Sequence, residues 1–387
     1  MKLTTEIQDS VELRFSNLAR RMNAEGRRII SLGLGEPGFP TPPPIIEAAA
    51  QAMRDGFTRY SSPFGLFELR QRIAAKLAQE NGITASPDEI MVTPGAKMAL
   101  SLVLGALLRP GDEIITVLPC YPSYLPQIKL AEPEAEIRAV NLSRGDFRLD
   151  LAALAAALTP RTRAVLLNYP NNPTGRMLSA EDLDGLVAVL ADHPCWIISD
   201  EIYERLNFSG VTPLSPAARP ELAGRVITIN GFSKAFSMTG WRIGYLVAPE
   251  TVMRTVSKLQ QHWNTNTAPF IQKAACTALD LPADFLAGYN AQLADNHRAL
   301  AATVARQPQL RLGPSQGGLF AFVDLSATGR DADGFCSGLI ERHTVAATPG
   351  LVFGADWADH MRVSLACDRE SFAEGMRRLE LYLEEGA

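Results

Sequence analysis

NGFSKAFSMTGWRIGY, residues 230–245, follows directly on the apolar, β-branched run Val226–Ile229. The run reads as a strand and the glycine-bearing stretch after it as a turn. Lys234 therefore stands just past a strand end. Arg242 follows eight residues later, with Gly240 between them to let the chain turn. A lysine so placed can become a desolvated, nucleophilic amine, and an arginine beside it can grip a phosphate with paired hydrogen bonds. A lysine taken singly is more often a solvated surface charge, so the rest of the chain has to decide.

Three more runs share the character of Val226–Ile229: Glu113–Leu118, Ala164–Asn168 and Trp196–Ser199. Each is apolar nearly throughout rather than alternating, which predicts strands buried on both faces of a largely parallel sheet. Helical patterns such as Ala180–Leu190 lie between them, so the centre is an α/β layered domain. The chain opens differently, with a helical Val11–Ala24, a strand Ile29–Leu32 and a proline-rich turn at 37–44. After about residue 285 the pattern becomes α+β, with strands at 317–323 and Met361–Ala366. The expected organisation is a large domain over residues 45–284 and a smaller one assembled from residues 1–44 and 285–387.

Composition excludes several classes of partner. Net charge is −5 with no basic block, which argues against nucleic acid and anionic membranes. The longest apolar run, Ala99–Leu108, is too short to span a bilayer and reads as a buried helix. The opening MKLTTEIQDSVELRF carries charges where a secretory leader needs an apolar core, so a cytoplasmic location is expected. The five cysteines are scattered and lack C-x-x-C spacing, and no two of the five histidines sit at metal-ligand spacing. Reduced thiols and no metal are the expectation.

In open parallel sheets ligands bind beyond the carboxyl ends of the strands. After Ala164–Asn168 comes YPNNPTG (169–175), and after Trp196–Ser199 comes Asp200-Glu201-Ile202-Tyr203. Lys234 follows the next strand. Upstream, Thr93-Pro94-Gly95-Ala96-Lys97 opens the buried helix Met98–Leu108, whose free N–H groups and positive dipole end form a phosphate seat. These parts match the needs of pyridoxal phosphate. Lys234 would form the Schiff base and then shuttle the α-proton. Asp200 would favour the protonated ring nitrogen. Asn172 and Tyr203 would bond the ring hydroxyl, and Tyr121 would stack on the ring. Singly, each motif has a plainer reading: an N-cap aspartate, a proline–glycine turn, a helix cap. Their occurrence in order after separate strands argues for one site.

With these residues in view, the chain resembles the class I/II aminotransferases, the fold-type-I pyridoxal phosphate enzymes related to aspartate aminotransferase. The resemblance rests on GLGEPGFPTP (33–42), TRYSSPFGLFELR (58–70), TPGAKMAL (93–100), YPNNPTG, SDEIY (199–203), SKAFSMTGWRIGY (233–245) and PGLVFG with MRVSLA (349–366). It implies a mostly parallel seven-stranded sheet sandwiched by helices, plus a smaller α+β domain. It also implies that an amino group moves between an α-amino acid and a 2-oxo acid. Gly95, Ala96 and Arg242 would hold the phosphate, with Lys97 and Ser233 beside it. Arg362 would pair with the substrate α-carboxylate near Gly35 and Asn172. Tyr60 would reach the phosphate of a neighbouring subunit, making a homodimer with shared active sites.

The chain departs from the family pattern at Gly231, where many relatives carry a hydroxyl residue that binds the phosphate, and at Gly38, where many carry an acid. No arginine occurs in 261–267; His262, Trp263 and Asn264 stand there instead, read either as packing or as pocket lining. Lys97 is similar to a lysine that some bacterial aspartate-specific members use for the distal carboxylate, and reads equally as a solvated helix-start charge. Trp263, Tyr124 and His262 could line a pocket for a larger side chain. A lyase, a cyclase or synthase, or an oxidase on the same scaffold is the alternative reaction. Gly33-x-Gly35-x-x-Gly38 matches a dinucleotide fingerprint but leads into PTPPP rather than a helix, so that reading fails. A sensor domain of a transcription regulator would need a DNA-binding segment before Ile29, and none is evident.

Overall fold

The computed structural model describes residues 11–385. The part of the charged opening stretch before Val11 lies outside the described residues. Strands β1 (Ile90–Thr93), β2 (Glu113–Leu118), β3 (Glu136–Asn141), β4 (Thr162–Asn168), β5 (Trp196–Asp200), β6 (Val226–Gly231) and β7 (Gly244–Val247) form one seven-stranded sheet. Their spatial order is β1-β7-β6-β5-β4-β2-β3. Neighbours run parallel except at β7, which is antiparallel to both β1 and β6. The reason is local: residues 232–243 join β6 to β7 without the helix that a parallel crossover normally uses.

Burial explains the strand composition. Every residue of β1, β2, β6 and β7 is buried, whereas β3 at the sheet edge is mostly not. Helix α1 (Ala96–Leu107) packs Leu100, Val103 and Leu104 into the same core as Ile115 of β2, Val165 of β4 and Ile197 of β5. Each such side chain contributes about 1.5–3 kcal/mol by leaving water, which makes the sheet a stiff platform for whatever its strand ends carry. The helix expected from Met98 begins two residues earlier, at Ala96, because Gly95 supplies the left-handed N-cap (φ 86°) that turns the chain into it.

A second, antiparallel sheet orders Thr348–Pro349, His360–Ser364, Phe320–Asp324 and Arg311–Leu312. Its strands are displaced from the expected 317–323 and Met361–Ala366. Gly317 instead forms an isolated antiparallel bridge with Asn207, where a Cβ would lie 2.9 Å from the Leu206 carbonyl oxygen, and Gly318, with φ 73°, opens a tight turn. The expected strand Ile29–Leu32 is reduced to Ile30–Ser31, which pairs in parallel with Val345–Ala346. Ser364 N then donates to Leu32 O, so the first and last parts of the chain share a backbone seam. The helix Val11–Ala24 has the expected bounds. All five cysteines are free thiols, four of them buried. No described helix is long and apolar enough to cross a membrane.

Candidate active site

The carboxyl ends of β4, β5 and β6, together with the start of α1, face one cavity of about 560 Å³. Asp200 is the last residue of β5 and pairs in register with Asn168, the last of β4. Asn168 Nδ2 donates to the Asp200 backbone oxygen (2.9 Å), and Asn168 Oδ1 accepts from Asn172 N (2.9 Å). The two strand ends are thereby locked, and the Asn172 turn is set against them. Asp200 does not cap a helix: residues 201–205 form turns, and its carboxylate serves the cavity. Its Oδ1 accepts from Ile202 N (3.2 Å) and its Oδ2 from the Tyr124 hydroxyl (2.7 Å). Burial pushes the Asp200 carboxyl up, while the Tyr124 hydroxyl, the Ile202 N–H and the Lys234 ammonium pull it back.

Lys234 lies in the turn after β6 and lines the cavity with Ser233. Its Nζ donates to the Gly35 carbonyl (2.7 Å) and lies 5.9 Å from the Tyr203 ring centroid. Tyr121 lines the same cavity; its ring meets Tyr124 edge-on at 5.6 Å, and Lys97 Nζ sits 5.5 Å from its centroid. Lys97 is therefore part of the wall. Glu36 and Thr239 close another side, joined by a hydrogen bond from Thr239 Oγ1 to Glu36 Oε1 (2.9 Å).

The anion seat is built from close backbone approaches. A Cβ on Gly95 would lie 2.5 Å from Arg242 Nη2, so only glycine lets the guanidinium lie over the N-terminus of α1. Arg242 itself has φ 55°, an uncommon conformation for a side-chain-bearing residue, and its Nη1 donates to Thr239 O (2.8 Å). A Cβ on Gly244 would lie 2.6 Å from Ala96 N, and one on Gly231 would lie 2.9 Å from Gly244 Cα. Gly231, where the family pattern offers a hydroxyl, thus packs backbone to backbone with the strand beneath the seat. The remaining donors there are the N–H groups opening α1, Ser233 and Arg242, a set that suits a phosphate monoester. With a buried carboxylate, an amine and an aromatic ring around one cavity, the residues present fit pyridoxal phosphate.

Arg362 is not an exposed cation at a strand end. It is fully buried, with its guanidinium 4.0 Å from the Phe320 ring centroid and 4.9 Å from that of Phe353. Nη1 donates to Asn172 Oδ1 (2.9 Å) and Nη2 to Gly33 O (2.7 Å). Gly35 packs beside Phe320, where a Cβ would come within 3.1 Å of the ring. Arg362, Asn172 and the 33–35 segment are thus brought together. Tyr60 is not: it is 88% exposed and lines no part of the cavity. His262 and Trp263 also stay outside it, and the Trp263 ring covers Gly105 of α1. The packing alternative thus holds for Trp263, whereas His262 is exposed.

Several site residues escaped the sequence reading. Tyr124 lines the cavity, as the pocket reading allowed, but the bond its hydroxyl donates to Asp200 was not foreseen. Asn168 could have been found from the register that sets it opposite Asp200, since paired strand ends open on the same edge. Behind the site lies a buried polar cluster. Lys76 Nζ bonds Glu204, and Glu201 Oε1 accepts from Ser199 (2.8 Å) and Ser215 (2.6 Å). Burial, reinforced by Glu204, raises the Glu201 carboxyl to about 8.

Residues 27–379 match the family model described as aminotransferase class I and II. Among curated proteins, the chain is 36% identical to an arginine–pyruvate transaminase of Pseudomonas aeruginosa over 93% of this chain and 91% of that protein. It is 37% identical to an aspartate aminotransferase of Musicola paradisiaca, over 92% and 90% of the two lengths. Among solved structures, the aspartate aminotransferase from Rhizobium meliloti superposes with a TM-score of 0.94 at 32% identity, covering 99% of this chain and 98% of that one.

Proposed function

Because the chain belongs to the class I and II aminotransferase family and is therefore a pyridoxal-phosphate-dependent aminotransferase, we propose that Lys234 is the residue that carries the cofactor and that the strand-end residues around it do the chemistry. When bound, the cofactor supplies an electrophilic aldehyde carbon and an electron-withdrawing ring. Lys234 Nζ would hold that aldehyde, and as a free amine it would move the proton at the substrate α-carbon. Asp200 holds the ring nitrogen, Asn172 and Tyr203 the ring hydroxyl, and Tyr121 the ring face. Gly95, Ala96, Ser233 and Arg242 hold the phosphate end.

Arg362 receives the α-carboxylate of the amino acid or 2-oxo acid, with Asn172 Oδ1 and Gly33 O fixing the guanidinium plane. Lys97 reads the far end of the side chain from the cavity wall. The curated relatives above are named for substrates as different as arginine and aspartate, so the side-chain end is where members of the family diverge. The exposed Tyr60 reaches the neighbouring active site in a cytoplasmic homodimer. Residues 1–44 and 285–387 make up the smaller domain around the large one at 45–284.

The observation that carries the reading is the meeting of Lys234 and Asp200 on one cavity whose floor is an anion seat. Purified protein reconstituted with pyridoxal phosphate should show a visible absorption band, and Lys234→Ala should abolish or displace it. An amino-donor screen should yield a keto acid and a matching aminated acceptor. A wild type that takes up no cofactor, or a Lys234→Ala variant with an unchanged band, overturns the assignment.

A further inference from the structure

We propose that Tyr124 is a positioning residue for amino transfer: by donating to one oxygen of Asp200, its hydroxyl keeps the proton shared with the cofactor's ring nitrogen on the ring side of that contact. This rests on the reading of Asp200 as the ring-nitrogen partner. Asp200 is a buried carboxylate, and burial makes it a stronger base. A carboxylate that is too basic would take the shared proton and leave a neutral ring, which withdraws electrons poorly. Of the influences that counter burial, the 2.7 Å bond from Tyr124 is the largest, ahead of the Ile202 N–H and the Lys234 charge. The other titratable groups close to this pair are Cys120 and Tyr203, and burial raises Cys120 to about 12, so it stays a neutral thiol. Tyr124 is itself only 2% exposed and pushed well above its ordinary range, first by burial and then by Asp200, so it remains a neutral donor throughout the working pH range.

The hydroxyl is also held in place. Tyr124 begins helix α2 (Tyr124–Ala131), and Gln127 one turn on accepts from Ser101 of α1 (2.9 Å), which stitches α2 to the helix that opens the phosphate seat. Tyr121, three residues before Tyr124, is the candidate face partner of the ring. One short segment thus sets both how the ring lies and how much charge it keeps.

The test is Tyr124→Phe, which retains the packed ring and removes only the hydroxyl. In the holoenzyme, the ring-nitrogen NMR resonance of isotope-labelled cofactor should move towards the neutral-pyridine position. Turnover, kcat, should fall about tenfold, the scale of a lost hydrogen bond to a charged group, while KM for the amino donor changes less than about threefold. With a cofactor analogue bearing carbon in place of the ring nitrogen, wild type and variant should become equal within about twofold, an additivity test of the path through Asp200. If Tyr124→Phe retains too little cofactor to be read, fluorotyrosine incorporated at this position strengthens the donor and should shift the resonance the opposite way. An unmoved resonance, or a fall in kcat that persists with the analogue, overturns the proposal while leaving the aminotransferase reading intact. A wild type that binds no cofactor would instead overturn that reading.

Discussion

The two sides of the cavity are built by different means. On the cofactor side, Asn168, Asp200 and Lys234 sit at or just past adjacent strand ends of one buried sheet, so the hydrogen-bond ladder spaces them. On the side proposed for the carboxylate, Asn172 lines the cavity and Arg362 lies buried behind it, meeting Gly33 and Asn172 across most of the chain's length, on a small antiparallel sheet and an N-terminal segment. That segment is tied to the loop carrying Arg242 by side-chain stitches: Thr239 to Glu36, Ser237 to Phe39, Thr41 to Ser237 and Trp241 to Thr41. A ladder holds atoms to fractions of an ångström, whereas a few polar stitches worth about 0.5–1.5 kcal/mol each can open and close. On the proposed reading, the chemistry is anchored to strand ends of one sheet and substrate capture to a site assembled from distant segments.

The sharpest way to break this contrast is Asp200→Asn. If the strand-end wall governs turnover, kcat should drop about 10²–10³-fold with cofactor still bound, and a drop confined to KM would contradict the division. Next comes Arg362→Lys, which keeps the charge and loses the planar fork. Steady-state kinetics should show kcat/KM lowered about 10–100-fold, carried mainly by KM, with the cofactor band unchanged.

Glu201→Gln probes the stiff side itself. The folded state raises this carboxyl from its ordinary 4.5 to about 8, so folded protein keeps a proton that the unfolded chain releases. The stability this confers is complete below about pH 4.5 and is lost as pH rises through about 8. In urea melts the variant, which has no such proton to lose, should gain on wild type between about pH 5 and pH 8. A gap that is constant across that range would mean that Glu201 is charged in the fold. The smallest effect is expected of Thr239→Val, which cuts one stitch. KM should rise about two- to tenfold with kcat nearly unchanged, and a large loss of kcat would place this loop with the rigid wall.

How far the sequence could be read follows the same division. Strand ends were legible because unbroken apolar runs mark buried parallel strands, and the residues that follow them must open on one edge. Lys234, Asp200 and Asn172 could therefore be placed from the sequence, and the Gly95 turn from the apolar helix that follows it. The Tyr124–Asp200 bond spans 76 residues and joins a helix to a strand end, so no local pattern announces it. That Arg362 is fully buried could not be read locally, because its aromatic cover, Phe320 and Phe353, comes from separate elements. Nothing local marks Glu201 and Glu204 as buried, yet both are, with Lys76 from far along the chain paired to Glu204 and with Ser199 and Ser215 donating to Glu201.

The contact of Gly231 with Gly244, and of Gly244 with Ala96 N, also bears on how this sequence can change. A serine at 231 would press its Cβ on the neighbouring strand's backbone at Gly244, and a side chain at 244 would in turn meet the first turn of α1. The hydroxyl that many relatives carry at this position is therefore not one substitution away; it lies behind at least two coordinated ones, the first of them costly by itself. For directed evolution this makes the floor of the phosphate seat a locked module. Libraries that vary single positions will find their gains at the stitched wall, and altered cofactor grip will require moving 231, 244 and the Gly95 turn together.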